Sequence, residues 1–365
     1  MKITAEFKER IRIPYALRHV ADANFSSLLP CPEAPAVGDI VLARVEKLAR
    51  NSHLELGNGR RCGLHEGDVI AAVFGNRYAT MQFEGYARTQ GTRCDLLSMG
   101  GLCGIVTSKH AKVADPTKLS LLGAIGDEEG RPLRMADHRL THARPGSAPR
   151  VLVVCGSSMD AGKTYTVMSL ITGLGGRGYR VAGIKLTGTA AGKDTWNMLD
   201  AGACVALDFV DGGLPSTYLC GLDELMNLYC LLIGHASLHG ADWVVMELAD
   251  GLLQRETAAL LQARGFTATA DAWVFAANDP MAAESGVRLL RDWGIQPIAI
   301  SGLLTMSDLN IREAEAATGL QCITAKDLQA GALNETLALV SETMERSGML
   351  RGELRASGPG VPMVA

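Results

Sequence analysis

The sequence predicts an α/β protein: a doubly wound, mostly parallel sheet preceded by a smaller β-rich, barrel-like region. Three observations predict it. From Arg150 onward, short apolar, β-branched runs alternate with amphipathic stretches of helical period, the pattern of βαβ units around a buried parallel sheet. Before that, the runs are short and bounded by Gly and Asn turns, as in small barrels and sandwiches. Between the two, residues 126–149 are polar and hold Pro132, Pro145, Gly146 and Pro149, which reads as a linker. The expected division is a β-rich unit over 1–145, an α/β unit over 146–350 and a disordered tail over 351–365.

The elements follow in order. Gly38–Val45 is a candidate strand. His53–Leu56 and Arg61–Leu64 flank Gly57-Asn58-Gly59, a hairpin signal, and Gly67-Asp68 leads into a strand over Val69–Phe74. The loop Gly75-Asn76-Arg77-Tyr78 reads as an ordinary hairpin turn, and Gly100-Gly101 to His110 as a segment packing this region against the next. In the second region strands are expected at 151–155, 180–185, 204–208, 242–247, 272–276, 296–301 and 320–323. Helices are expected near 163–174, 194–201, 222–238, 254–264, 281–293 and 310–318.

The bulk numbers bound the function. A chain of 365 residues has room for two domains, and 47% hydrophobic with 20% charged residues describes a soluble globular protein. A net charge of −4 supplies no basic footprint, so nucleic acid is not the expected partner. No apolar run has membrane-spanning length, and the N-terminal stretch lacks a signal-peptide core. Nine cysteines without a CxxC pair fit reduced thiols in the cytoplasm, with Cys155, Cys204 and Cys230 in apolar surroundings.

The chemistry concentrates between Arg150 and Leu174. Val151–Cys155 is a buried strand, Gly156–Gly162 a loop with glycine at each end, and Lys163-Thr164 opens a helix whose inner face is Val167, Met168, Leu170, Ile171 and Leu174. Strand, Gly-bounded loop, Gly-Lys-Thr and helix are the context of a phosphate-binding loop. Its amides and the helix N-terminus favour an anion, Lys163 adds a full charge, and Thr164 offers a hydroxyl to Mg²⁺. Gly156, Ser157, Ser158, Met159, Asp160, Ala161, Gly162, Lys163, Thr164 and Tyr165 are thus the expected nucleotide contacts. Asp160 reads as positioning substrate or a metal-bound water, or as a brace of the loop. The two glycines enclose five residues where the common pattern has four.

GSSMDAGKT resembles the loop of dethiobiotin synthetase and of the cobyric acid synthase class, a branch of P-loop NTPases with a parallel sheet. Lys185, which closes the second strand, stands where that family keeps a lysine serving phosphate and substrate, although Leu186 and Thr187 replace its proline and valine. Gly192-Lys193-Asp194, followed by Ala201-Gly202-Ala203, is similar to the molybdopterin-guanine dinucleotide biosynthesis adaptor family. That resemblance implies a metal role for Asp194; the residues alone suit a helix N-cap at Asp194 and Thr195. Glu247 ends the fourth strand, where P-loop enzymes place an acidic metal-coordinating residue. Asp250-Gly251-Leu252-Leu253 resembles the family's substrate turn with two glycines replaced.

The resemblance implies an ATP- and Mg²⁺-dependent phosphoryl-transfer enzyme acting on a small molecule, a kinase or a ligase activating a carboxylate-type group. Lys163, Lys185 and Asp160 would be catalytic, and Thr164, Asp194 and Glu247 would hold the metal. No N-K-x-D guanine reader is present; Thr324-Ala325-Lys326-Asp327 only approximates one. The alternative is a nucleotide-switched adaptor, using GTP or ATP, in cofactor biosynthesis. The family further implies a homodimer. His235 and His239, four apart, read as helix surface.

Overall fold

The computed structural model describes residues 1–21, 24–143 and 148–339. Pro145, Gly146 and the tail over 351–365 lie outside the described residues. The chain forms two compact units. The first comprises Met1–Thr141 with two later segments, Gly188–Trp196 and Phe209–Leu219; the second comprises His142–Thr187, Asn197–Asp208 and the chain from Cys220 onward.

The first unit holds a short helix α1 (Ala5–Lys8) and ten strands: β1 (Ile11–Arg12), β2 (Ser27–Leu29), β3 (Ile40–Lys47), β4 (His53–Glu55), β5 (Arg61–Gly63), β6 (Val69–Phe74), β7 (Phe83–Tyr86), β8 (Arg93–Leu96), β9 (Leu102–Lys109) and β10 (Lys118–Gly126). Strands pair in the order β6-β3-β10-β8-β9, and β9 returns to β6 through Val73–Leu102 and Phe74–Cys103, which closes a ring. The ring's interior follows from period-two alternation: Val41, Ala43 and Val45 of β3 meet Ile70, Ala72 and Phe74 of β6 and Leu119 and Leu121 of β10 in one buried cluster. Closure removes the sheet edges that short strands would otherwise expose. The hairpin β4–β5 forms as expected, turning at Gly59 with φ +81°.

Two expectations need correction. Residues 126–141 are not linker. Leu133 and Met135 are buried, and their amides donate to Ile125 O and Gly38 O at 2.8 and 2.9 Å, so apolar side chains fold this stretch back onto the ring. The segment after Gly101 is strand β9 of that ring.

The second unit is an all-parallel, six-stranded sheet in the order β13-β12-β14-β11-β15-β16. Its strands are β11 (Arg150–Gly156), β12 (Val181–Lys185), β13 (Val205–Asp208), β14 (Trp243–Glu247), β15 (Ala272–Ala276) and β16 (Ala299–Ser301). Between and after them run α2 (Lys163–Gly175), α3 (Lys193–Asp200), α4 (Leu222–Leu238), α5 (Arg255–Gln262), α6 (Arg264–Thr267), α7 (Pro280–Asp292), α8 (Asp308–Thr318) and α9 (Ala325–Gln329). Leu152 and Val154 of β11 pack with Val167, Leu170, Ile171 and Leu174 of α2 on one face, while Val151, Val153 and Cys155 are equally buried on the other. A sheet covered on both faces is the doubly wound arrangement that continuous apolar strands require.

The expected strand at 320–323 reduces to a single bridge between Ile300 and Cys322, because β16 is only three residues long and offers little edge to extend. The helix expected over 254–264 divides at Ala263, whose ψ of 108° leaves the helical region. None of the nine cysteines is joined in a disulfide; Cys155 is buried, but Cys230 is exposed on α4, against the expectation from its apolar neighbours. Among the described residues no helix is long and apolar enough to cross a membrane.

Candidate functional site

β11 delivers the glycine-bounded loop to the carboxyl end of the sheet, between β14 and β15. Gly162 has φ +93° and caps α2 without any side-chain bond, so the helix begins at Lys163 with its first amides free of a capping side chain. The loop folds over its own lysine. Lys163 is 5% exposed and its Nζ donates to Ser158 O at 2.7 Å. Ser157 Oγ is buried and has no hydrogen-bond partner among the described residues. Ser158 Oγ accepts from Asn278 Nδ2 at 3.2 Å, which ties the loop after β15 to the phosphate-type loop.

Two glycines brace the loop from outside. A Cβ at Gly251 would lie 2.5 Å from Ser157 O, and one at Gly302, where φ is +97°, would lie 2.3 Å from Ala161 O. Leu303 N donates to that same Ala161 carbonyl at 3.1 Å. The turns after β14 and β16 therefore press backbone to backbone on the loop, and only glycine permits it.

The charges at the strand ends are interlocked. Thr164 Oγ1 donates to Glu247 Oε1 at 3.3 Å, and Lys185 Nζ lies 3.9 Å from the same oxygen. Burial pushes the Lys163 ammonium below its ordinary pKa; Glu247 and Asp250 oppose that shift, and Lys185 adds to it. Lys185 and Asp208 are in register at the ends of β12 and β13, and Asp208 is 1% exposed. Thr187, also buried, donates to Ala249 O and accepts from Ala249 N at 2.9 Å, so it fixes the turn that follows Glu247. Thr257 Oγ1 donates to the same carbonyl at 2.7 Å.

The structure thus gathers Gly156 to Thr164, Lys185 and Glu247 in the second unit. Asp160 is exposed with φ +61°, a left-handed position that Asp tolerates. Met159 is half-buried, and Tyr165 is 69% exposed on the first turn of α2. Asp194 falls in the segment 188–196 that folds with the first unit. It is the second residue of α3 and not its N-cap. The capping is done by Glu55, which is 3% exposed, accepts from Gly192 N at 2.9 Å and also from the Lys193 amide. Thr195 Oγ1 donates to Gly192 O and meets Tyr15 Oη, each at 2.9 Å.

Sequence reasoning missed Asp208, Gly302 and Glu55. Asp208 was visible by the strand-end rule that found Glu247; the other two carry no motif. His239 is the C-cap of α4 and His235 lies one turn before it, consistent with helix surface. Asp279, in the loop after β15, is a helix cap, accepting from Ala282 N at 2.8 Å.

No family model matches this chain, and no curated protein matches it. Among the solved structures that resemble it in part are two, each at a TM-score of 0.37 and 17% identity over 57% of this chain. One is the signal recognition particle 54 kDa protein from Aeropyrum pernix K1 in complex with GDP, of which the match covers 52%. The other is a DUF1611 family protein from Anabaena variabilis, of which it covers 63%.

Proposed function

We propose that the second unit is a P-loop NTPase domain that binds ATP with Mg²⁺ and transfers a phosphoryl group to a small molecule. The observation that carries this reading is Lys163: a cation 5% exposed, curled onto its own loop, with a threonine hydroxyl and a strand-end glutamate beside it. Burying an ammonium is costly unless it meets an anion. The buried, partnerless Ser157 Oγ and the uncapped start of α2 are further donors for phosphate oxygens, so the residues present fit a nucleotide.

The metal fits the same way. Among the described residues no three His, Cys, Asp or Glu side chains gather to hold an ion alone. Mg²⁺ is commonly held by one or two carboxylates together with substrate phosphates, and Thr164 and Glu247 would supply the protein's share. When bound, Mg²⁺-nucleotide supplies the transferable phosphoryl group. Lys163 and the loop amides hold negative charge, Lys185 neutralises charge on the transferring group or on a substrate carboxylate, and Asp160 positions the acceptor.

ATP is preferred to GTP in this reading because the sequence carries no N-K-x-D element. In the run that approximates it, Asp327 Oδ2 accepts from Thr324 Oγ1 at 2.6 Å within the N-cap of α9. Lys163→Ala should weaken ATP affinity and lower turnover ~100-fold or more, the scale of losing one preorganised charge-stabilising donor. Full nucleotide-dependent activity in that variant would refute the assignment.

A nucleotide-switched adaptor is the second reading. Leu253 at 86%, Met306 at 84% and Tyr165 at 69% exposure lie in the turn after β14, the 3-10 helix after β16 and the first turn of α2, and such exposed side chains suit a protein partner or a second copy of the chain. Acceptor-stimulated ADP release supports the enzyme; slow hydrolysis indifferent to every acceptor supports the adaptor.

A further inference from the structure

The first unit contains a cavity of about 530 Å³, within the usual range for small-molecule sites. Its lining includes Arg50, His53 and Arg77, with Asn51, Ser98 and the backbone of residues 189–191. No Asp or Glu lines it. Two other cavities differ in this respect. One of about 670 Å³ is lined by Asp127, Glu128, Glu129 and Asp137, and one of about 430 Å³ holds the ion pairs Arg93–Glu46 and Lys118–Asp95.

The cationic cavity is also built firmly. Arg77 Nη1 donates to Leu97 O, and its guanidinium stands 5.9 Å from the Phe83 ring, which holds the charge in one place. Arg50 Nε donates to Gln82 Oε1 at 3.2 Å. Asn51 takes a left-handed φ of +66° and its Nδ2 donates to Leu96 O at 2.9 Å, fixing the turn between Arg50 and His53. The wall 189–191 is pinned on both sides. Ala190 N donates to Pro215 O at 3.0 Å, and a Cβ at Gly100 would lie 2.0 Å from Ala190 O. The wall continues directly into Gly192-Lys193-Asp194, whose first two amides Glu55 receives.

We propose that this cavity binds a small anionic molecule through a carboxylate or phosphate group. This inference stands apart from the reading of the second unit. Arg50 and Arg77 pair with the anion, and Asn51 and Ser98 add polar contacts.

The test is calorimetric titration of the full-length protein. Succinate is the carboxylate probe in the wild type. Inorganic phosphate is the second probe, used in Lys163→Ala so that the phosphate-type loop does not contribute. The expected result is saturable, one-site binding at millimolar or tighter affinity, weaker at high salt, and at least ~10-fold weaker in Arg50→Gln and in Arg50→Gln/His53→Gln. Arg50 and His53 are at the surface, and an unchanged thermal melt would show that these variants fold. Preference for succinate or for phosphate identifies the anion class. No saturable binding of either probe, or equal binding in the double variant, overturns the proposal.

Discussion

Lys163, Gly302 and Gly251 show how differently residues announce themselves. Lys163 was legible because strand, glycine and Gly-Lys-Thr define a local geometry by themselves. Lys185 and Glu247 were legible because residues ending parallel strands face the ligand edge of such a sheet. Gly251 stood out only through a resemblance, and Gly302 not at all, since each serves a backbone contact made across a long stretch of chain. Gly302→Ala places a Cβ 2.3 Å from Ala161 O at a φ of +97°. It should destabilise the protein by more than the ~1 kcal/mol that a compatible Gly→Ala change is worth, with the opposite sign. On the proposed nucleotide-binding role of the loop, nucleotide affinity should fall with it, because the displaced atom belongs to the loop. Chemical denaturation together with nucleotide titration checks both. A variant of unchanged stability and affinity would show that the loop yields freely.

At the scale of elements, helical and strand periods placed six strands and most helices to within a few residues. What the periods could not show was α3's start. A Gly-Lys-Asp-Thr run offers two good capping residues, yet the helix begins before either of them, because a buried carboxylate on β4 supplies the cap from 137 residues away. Glu55→Ala should cost about 1–3 kcal/mol, the penalty of leaving buried amides without an acceptor. Glu55→Gln keeps an acceptor and should cost less. The pH dependence has a definite sign. Burial is the largest influence on the Glu55 carboxyl and raises it above its ordinary 4.5, against the two amides and Arg61. Between 4.5 and the raised value the folded protein therefore keeps a proton that the unfolded chain has released. The contribution of Glu55 to stability is largest below that window and falls as pH rises through it. Denaturation midpoints across this range should drop more steeply in the wild type than in Glu55→Gln; parallel curves would show that Glu55 titrates alike folded and unfolded.

At the scale of the molecule, the chain does not finish one unit before starting the next. Segments 188–196 and 209–219, each following a strand of the parallel sheet, fold with the first unit. Composition and linker signals could not reveal this, since the segments are short and look like ordinary βα connections. Their bonds to the earlier chain are not peripheral. Asp211, with a side chain 5% exposed, receives Arg18 Nη2 at 2.9 Å and His19 Nε2 at 2.6 Å. Ser216 Oγ donates to Asn76 O, and Tyr218 Oη donates to Glu84 Oε1 at 3.1 Å beside the rings of Tyr78 and Tyr86. Removing the carboxylate from a buried pair typically costs about 3–5 kcal/mol. Asp211→Ala in the full chain should approach that figure, and a chain ending at Thr141 loses every one of these bonds at once. Such a truncated chain should lack a cooperative thermal transition, whereas the full chain should show one. Far-ultraviolet circular dichroism on both decides it: a sharp transition in residues 1–141 alone would mean that the ring is self-sufficient and that the two returning segments merely rest on it.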